Sequence, residues 1–141
     1  MSEHENISLE DETKKLLKHL STGLFSHILI SGNAEKLNEF FTHLLDECKS
    51  EGISTSTITF SAEDPNFNYE YIKSDLLIIK NLGLLPAKHN KAFSLRTMLD
   101  VGQYRGLKSF VFCEESKVRD HFHDYEAPFY QFCLPHRLNT W

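Results

Sequence analysis

HILISGNAEKLNEFF, residues 27–41, is the stretch that decides the fold of this chain. Residues 27–31 form a nearly continuous apolar run, which is typical of a strand covered on both faces. After Gly32, apolar residues recur at a spacing that places them on one face of a helix: Leu37, Phe40, Phe41, Leu44, Leu45 and Cys48. The stretch therefore predicts a strand, a turn and a helix in immediate succession.

The rest of the chain continues this alternation. Further strands are predicted at residues 54–60, 75–80, 109–115 and 129–134, and further helices at residues 8–21 and 90–105. Apolar strands that alternate with helices form a parallel sheet covered on both faces. The sequence therefore predicts an α/β fold, a three-layer sandwich with a mainly parallel five-stranded sheet. We expect a flexible tail at residues 1–7 and a single domain over residues 8–141.

Composition narrows the classes of function. The chain has 141 residues, is 40% hydrophobic and carries a formal net charge of -5. This acidity argues against indiscriminate binding to nucleic acid or to anionic membranes. Three widely spaced cysteines make no disulfide framework, and the acidic, polar start resembles no secretory signal. We therefore expect a cytoplasmic protein that does not insert into a membrane.

Four segments follow one another in an order that is known from one group of proteins. They are ILISGN at 28–33, SDLLIIKNLG at 74–83, LRTMLDVGQYRGLKSFVFCEES at 95–116 and FYQFCLPHRL at 129–138. In this order they resemble the nucleotide loop, the acidic-motif strand, the sensor strand and the last core strand of AAA+ P-loop ATPases. The likeness is to bacterial helicase loaders and to the ATPase helpers of insertion-sequence transposases. The resemblance implies a P-loop NTPase-like fold.

The residues that ATP chemistry needs are missing from two of these segments. In a phosphate-binding loop the lysine follows the first glycine by six positions, whereas Lys36 follows Gly32 by four. At the end of the third strand, Lys80 and Asn81 stand where the resemblance implies a pair of acidic residues. We therefore predict a vestigial loop (Gly32, Asn33, Lys36), a vestigial second motif (Lys80, Asn81), and no catalytic residue, cofactor or metal.

These losses predict a pseudo-ATPase that serves as a protein-interaction or regulatory subunit of a larger assembly. The partner would be an active ATPase or a multi-subunit complex of replication, mobile-element, secretion or synthase machinery, and a homo-oligomer stays open. Aromatic residues and arginine are favoured at protein interfaces. The candidate contact residues are Phe67, Tyr69, Tyr71, Arg137 and Trp141.

Other readings remain beside this one. The shortened loop could serve a sensor of nucleotides or cyclic dinucleotides. A DNA-binding accessory protein would use basic groups such as Lys88, Lys91, Arg96, Arg105 and Lys108. A zinc site at His121, His123, Asp124, Cys133 and His136 is disfavoured, because the spacing is not that of a known zinc finger.

Overall fold

The computed structural model describes residues 9–21, 26–60, 75–85, 88–103, 106–130 and 132–138. Its strands are β1 (His27–Gly32), β2 (Thr55–Thr59), β3 (Leu76–Lys80), β4 (Lys108–Glu114) and β5 (Leu134–Arg137). Its α-helices are α1 (Leu9–Ser21), α2 (Ala34–Glu51), α3 (Asn90–Gln103) and α4 (Glu115–Val118). A 3₁₀ turn at Leu82–Leu84 follows β3, and a π-helical turn at Arg119–His123 follows α4.

The five strands form one sheet in the order β2-β3-β4-β1-β5, and every neighbouring pair is parallel. The connection from β1 to β2 runs one way along the sheet, and the connection from β3 to β4 runs the other way. Because such crossovers are right-handed, helices on opposite runs cover opposite faces. The predicted three-layer α/β architecture is confirmed, with a sheet that is parallel throughout.

The two faces of the sheet bury separate apolar clusters. The face under α1 and α2 buries Leu16, Leu20, Ile28, Ile30, Leu37, Phe40, Leu44, Cys48, Leu76, Ile78, Phe110, Phe112 and Leu138. The face under α3 buries Leu29, Ile58, Phe60, Leu77, Ile79, Leu82, Leu85, Ala92, Leu95, Leu99, Leu107, Val111, Cys113, Phe122 and Phe129. Consecutive residues of β1, β3 and β4 alternate between the clusters, which explains why these strands are apolar throughout.

Helix α2 has clear signals at both ends. Asn33 precedes it in extended conformation and accepts the backbone N–H of Lys36 with its side chain. Gly52 ends it at a positive φ of 71°, a conformation that costs glycine little because it has no Cβ. The first four strands and helices α1 and α3 also lie close to their predicted ranges.

The fifth strand is the one clear misplacement. We predicted it at residues 129–134, but β5 runs from Leu134 to Arg137. Phe129 lies instead in a series of turns, in which Tyr130 donates to the Ala127 carbonyl and Phe132 to the Phe129 carbonyl. The aromatic residues suggested a strand, but Phe129 is fully buried from a turn. Burial of the ring therefore did not require strand geometry.

In the described part of the chain, no helix combines the length and the apolar character needed to cross a bilayer.

Candidate functional site

The strand order predicts a ligand-binding site at the carboxyl ends of β1 and β4. In open α/β sheets, ligands bind outside the strand ends where neighbouring strands lead to opposite faces. Strand β1 leads into α2 on one face, whereas β4 leads to the turn that buries Phe122 on the face of α3. Gly32 and Glu114 end these strands in register with each other. The candidate site is therefore the crevice between these two residues, which we call the switch-point crevice.

Two hollows open along this crevice. The first has a volume of about 160 Å³ and is lined by Ala34, Leu37, Asn38, Lys80, Asn81, Gly83, Leu84, Phe112 and Glu114. The second is shallower, spans about 420 Å³, and is lined by Gly32, Asn33, Glu114, Glu115 and Ser116. Sites for whole ligands measure roughly 300–1,000 Å³. The first hollow is therefore smaller than a nucleotide requires, and the second is shallow and lined by the carboxylates of Glu114 and Glu115.

The junction of β1 and α2 is a single residue, Asn33. Its side-chain oxygen accepts the Lys36 N–H at 2.8 Å, and its carbonyl accepts the Leu37 N–H at 3.0 Å. A phosphate-binding loop instead leaves several consecutive N–H groups free to surround an anion. Here the helix start is capped by the protein itself, and Lys36 lies in the first helical turn rather than in a loop.

Gly32 is covered by the far end of the chain. Leu138 donates its N–H to the Ser31 carbonyl at 2.9 Å. A methyl group added to Gly32 would lie 3.5 Å from the Leu138 side chain. A methyl group here would thus be in ordinary van der Waals contact with Leu138, so the packing of the leucine beside the strand end does not depend on glycine.

The cationic side chains at the site already have neighbours. The Lys36 ammonium lies 4.0 Å from the Glu39 carboxylate. The Lys80 ammonium lies 4.0 Å from the centre of the Phe41 ring, a cation–π arrangement that favours the charge where it is. Asn81 adopts a left-handed conformation and donates its side-chain amide to the Phe60 carbonyl at 3.5 Å.

A magnesium–nucleotide complex does not fit these residues. Mg²⁺ prefers carboxylate, phosphate and water oxygens, but β3 ends in the cation of Lys80 and the amide of Asn81. Glu114 is the acidic residue that lines the first hollow. Cys113 offers no nucleophile, because burial raises the pKa of its thiol to about 12 and the reactive form is the thiolate.

The predicted contact residues fall partly within the described chain. Arg137 lies on β5, with Nε 2.8 Å from Glu115 Oε1, and both side chains are exposed. It therefore borders the second hollow. Phe67, Tyr69, Tyr71 and Trp141 lie outside the described residues.

Two of the basic residues considered for DNA binding, Lys88 and Arg96, lie beside acidic side chains. Lys88 lies 2.7 Å from Glu126 and 3.5 Å from Asp124, and Arg96 lies 3.8 Å from Asp100. Lys108 begins β4 at the opposite end of the sheet from the switch-point crevice. Lys91 is the second residue of α3, and Arg105 lies outside the described residues.

The disfavoured zinc ligands do not converge either. His121 is buried, and burial lowers the pKa of its ring. His136 instead meets Glu12 of α1, with Nε2 2.7 Å from the carboxylate. Among the described residues, no group of three or more His, Cys, Asp or Glu side chains is arranged to hold a metal ion.

Comparison with known proteins supports the architecture. No protein-family model matches the sequence, and no curated protein sequence matches it significantly. Among solved structures, the chain is similar to a DNA replication initiation factor, with a TM-score of 0.63 and 14% sequence identity. The similarity covers 92% of this chain and 44% of that factor, so this chain spans less than half of the factor's length. At this identity the likeness shows the fold alone, which is α/β and P-loop NTPase-like.

Proposed function

We propose that this protein is a pseudo-ATPase: a P-loop NTPase-like domain that does not hydrolyse nucleotide and acts as an interaction or regulatory subunit of a larger assembly. The observation that carries the proposal is the single-residue junction between β1 and α2. Asn33 uses its own side chain to satisfy a helix N–H that a phosphate would otherwise accept. A DNA replication or mobile-element assembly is the first context to test, because the structural neighbour is a replication initiation factor.

The charges at the start of α2 also support the absence of nucleotide binding. Glu35 lies exposed in the first turn of α2, where a carboxylate interacts favourably with the helix dipole. It would also repel a triphosphate that approached the same N–H groups. Leu37 occupies the position of the hydroxyl that binds magnesium in a phosphate-binding loop. The helix start is stable without an anion and unfavourable to one.

Phosphoryl transfer also needs a second set of groups. It depends on positioning and on neutralisation of charge, mainly by magnesium and its ligands. Lys80 and Asn81 supply neither a metal ligand nor a base at the end of β3. Two independent deficiencies therefore support loss of catalysis, and restoring either alone would leave the other.

A binding surface does not require the crevice to be active, because the groups that contact a partner are separate from those that bind nucleotide. Arg137 is the best placed of the described candidates. Its ion pair with Glu115 is exposed, and such pairs contribute about 0–1 kcal/mol. The guanidinium is therefore free to exchange Glu115 for a partner carboxylate at little cost.

Calorimetric titration tests the loss of nucleotide binding. We expect no saturable binding of Mg-ATP, ADP, GTP or cyclic dinucleotides, and no phosphate release by the pure protein. The matched pair of variants is Lys36→Ala at the start of α2 and Lys49→Ala at its end. Tight binding that Lys36→Ala weakens and Lys49→Ala leaves intact would replace the pseudo-ATPase with a nucleotide sensor.

Affinity capture from the native host tests the interaction role. The wild-type chain should recover a defined set of proteins that includes an ATPase or another subunit of one assembly. Arg137→Ala should reduce this recovery, whereas Lys14→Ala on the exposed surface of α1 should not. Equal recovery by both variants would remove Arg137 from the interface, and the absence of any specific protein would contradict the role.

A further inference from the structure

Strand β2 forms one edge of the sheet and pairs only with β3 among the described strands. The Leu76 N–H donates to the Ser54 carbonyl, and the Phe60 N–H donates to the Lys80 carbonyl, each at 3.1 Å. In a parallel ladder, alternate residues of a strand bond to the same neighbour. The even-numbered positions from 54 to 60 therefore direct their backbone groups toward β3.

The odd-numbered positions, Thr55, Thr57 and Thr59, direct theirs away from the sheet. Each offers one N–H and one carbonyl along the outer edge. Within the part of the chain that the structure describes, no backbone hydrogen bond satisfies these outward groups. The side chains of Thr57 and Thr59 are exposed, so the middle and the carboxyl end of the edge are open to solvent.

The opposite edge of the sheet is built differently. The Leu138 N–H bonds to β1, so the alternation leaves Pro135 and Arg137 directed outward from β5. Pro135 has no N–H to donate, and Arg137 carries a charge. Proline and charged residues are the usual protection of an edge strand against pairing. Strand β2, with the sequence TSTIT, carries neither.

We propose that the β2 edge pairs with β2 of a second copy of this chain, antiparallel and about a two-fold axis at Thr57. Thr57 would then face Thr57 of the second copy, and Thr55 would face Thr59 at both ends. Each facing pair exchanges two hydrogen bonds in an antiparallel ladder. The two five-stranded sheets would join into one continuous sheet.

The composition of the strand favours a second copy over a foreign strand. Antiparallel self-pairing brings threonine opposite threonine at every hydrogen-bonded position, a favourable cross-strand combination. No charge in β2 meets a like charge in its copy. A two-fold axis also matches the outward donors of one strand to the outward acceptors of the other, and two-fold dimers are the commonest oligomers.

This pairing is independent of the proposed pseudo-ATPase role. Thr57 is aligned with Ile78 in the middle of β3, away from Lys80 and the switch-point crevice. A dimer that binds nucleotide would overturn the proposed function and leave the pairing in place. A monomer that binds no nucleotide would do the reverse.

A charge-exchange experiment at the axis tests the pairing. The wild-type protein should show a concentration-dependent dimer in sedimentation equilibrium over the micromolar range. Thr57→Lys and Thr57→Glu each place like charges opposite one another, and each should weaken dimerisation by roughly tenfold or more. An equimolar mixture of the two variants should restore a dimer. Thr42→Lys, at an exposed threonine of α2, should dimerise like the wild type.

A second variant guards against misfolding as an explanation. Thr57→Pro removes one outward N–H without removing a bond to β3, and proline is tolerated on edge strands. Its circular dichroism should match the wild type while the dimer is lost, and no charged variant should rescue it. A wild-type protein that stays monomeric at several hundred micromolar would overturn the proposal. So would a mixture of Thr57→Lys and Thr57→Glu that fails to associate, which would leave the edge for a foreign strand.

Discussion

In the body of the sheet, apolar side chains from β1, β3 and β4 fill both faces. At their carboxyl ends, the same strands finish in Gly32, Lys80 and Glu114. The body needs only volume, hydrophobicity and the correct periodicity, which many sequences supply. Phosphate chemistry needs particular atoms at particular places. The architecture can therefore form with or without the groups that phosphate chemistry requires, and fold alone is no argument for activity.

The largest effect is expected in the body of the sheet. Phe110 is fully buried and meets the Phe40 ring edge-on, with the centroids 6.0 Å apart. Phe110→Ala should lower the free energy of unfolding by about 3–5 kcal/mol, because it removes apolar contacts and leaves a cavity. Urea denaturation measures the loss. Phe93→Ala on the exposed side of α3 is the control, and an equal loss there would contradict the assigned core.

The next effect concerns His27 at the amino end of β1. The ring is buried, stacks on Phe132 and lies 2.7 Å from the Ser109 hydroxyl. Burial lowers the pKa of His27 from 6.5 to about 4. Between pH 6.5 and 4, His27 is therefore protonated in the unfolded chain but remains neutral in the folded chain. The contribution of neutral His27 to the free energy of unfolding is fully present above pH 6.5. As the pH is lowered to 4, the free energy of unfolding should fall by about 3 kcal/mol.

The control for this pH dependence is His27→Gln, which cannot titrate. Its stability should decline less steeply between pH 6.5 and 4 in the same denaturation series. A remaining decline is expected from His121, because burial lowers the pKa of that ring as well. Identical slopes for the wild type and His27→Gln would show that His27 is not buried in its neutral form.

Gly83 lies in the 3₁₀ turn that follows the carboxyl end of β3. A Cβ added to it would lie 2.8 Å from both Cβ and Cγ of Lys117, which is closer than atoms pack without displacement. Gly83→Ala should therefore separate the 3₁₀ turn from α4 and cost about 1–3 kcal/mol. Thermal denaturation measures the cost. The double variant with Lys117→Gly should lose less than the sum of the single losses, and strict additivity would contradict the contact.

A smaller effect is expected from the cap of α2. Asn33→Ala removes the oxygen that accepts the Lys36 N–H and should cost about 1 kcal/mol in urea denaturation. Asn33→Ser should retain most of the stability, because serine also caps helices. Neither variant should bind Mg-ATP. If Asn33→Ala gained nucleotide affinity, the cap rather than the shortness of the junction would be what excludes phosphate.

The smallest effect is expected from Lys80. Lys80→Met keeps most of the side-chain length but removes the charge above the Phe41 ring. It should cost at most about 0.5–1 kcal/mol, and calorimetry should show no change in nucleotide binding. Lys49→Met is the matched surface control. A loss of binding to any phosphate-containing ligand would instead assign Lys80 to a working site.

Local sequence patterns predict most of the helices and strands. The apolar spacing from Leu37 to Cys48 predicts α2, and the uninterrupted runs of β1, β3 and β4 predict buried strands. Patterns failed near Phe129 because a strand and a buried turn both place an aromatic ring in the core. For the site, the spacing from Gly32 to Lys36 predicts a shortened loop. The contact of Leu138 with Gly32 and the position of Phe41 beside Lys80 have no local signal.

The sequence by itself determined the order of strands and helices, the shortness of the turn after β1 and the absence of acidic residues after β3. These are properties of neighbouring residues, and local periodicity and spacing express them directly. Only the tertiary structure decided that β4 lies between β1 and β3, and that β2 and β5 form the edges. Strand pairing joins residues far apart in the chain through backbone hydrogen bonds, which every residue type except proline can make in full. Residue identity along the chain therefore does not specify which strands become neighbours.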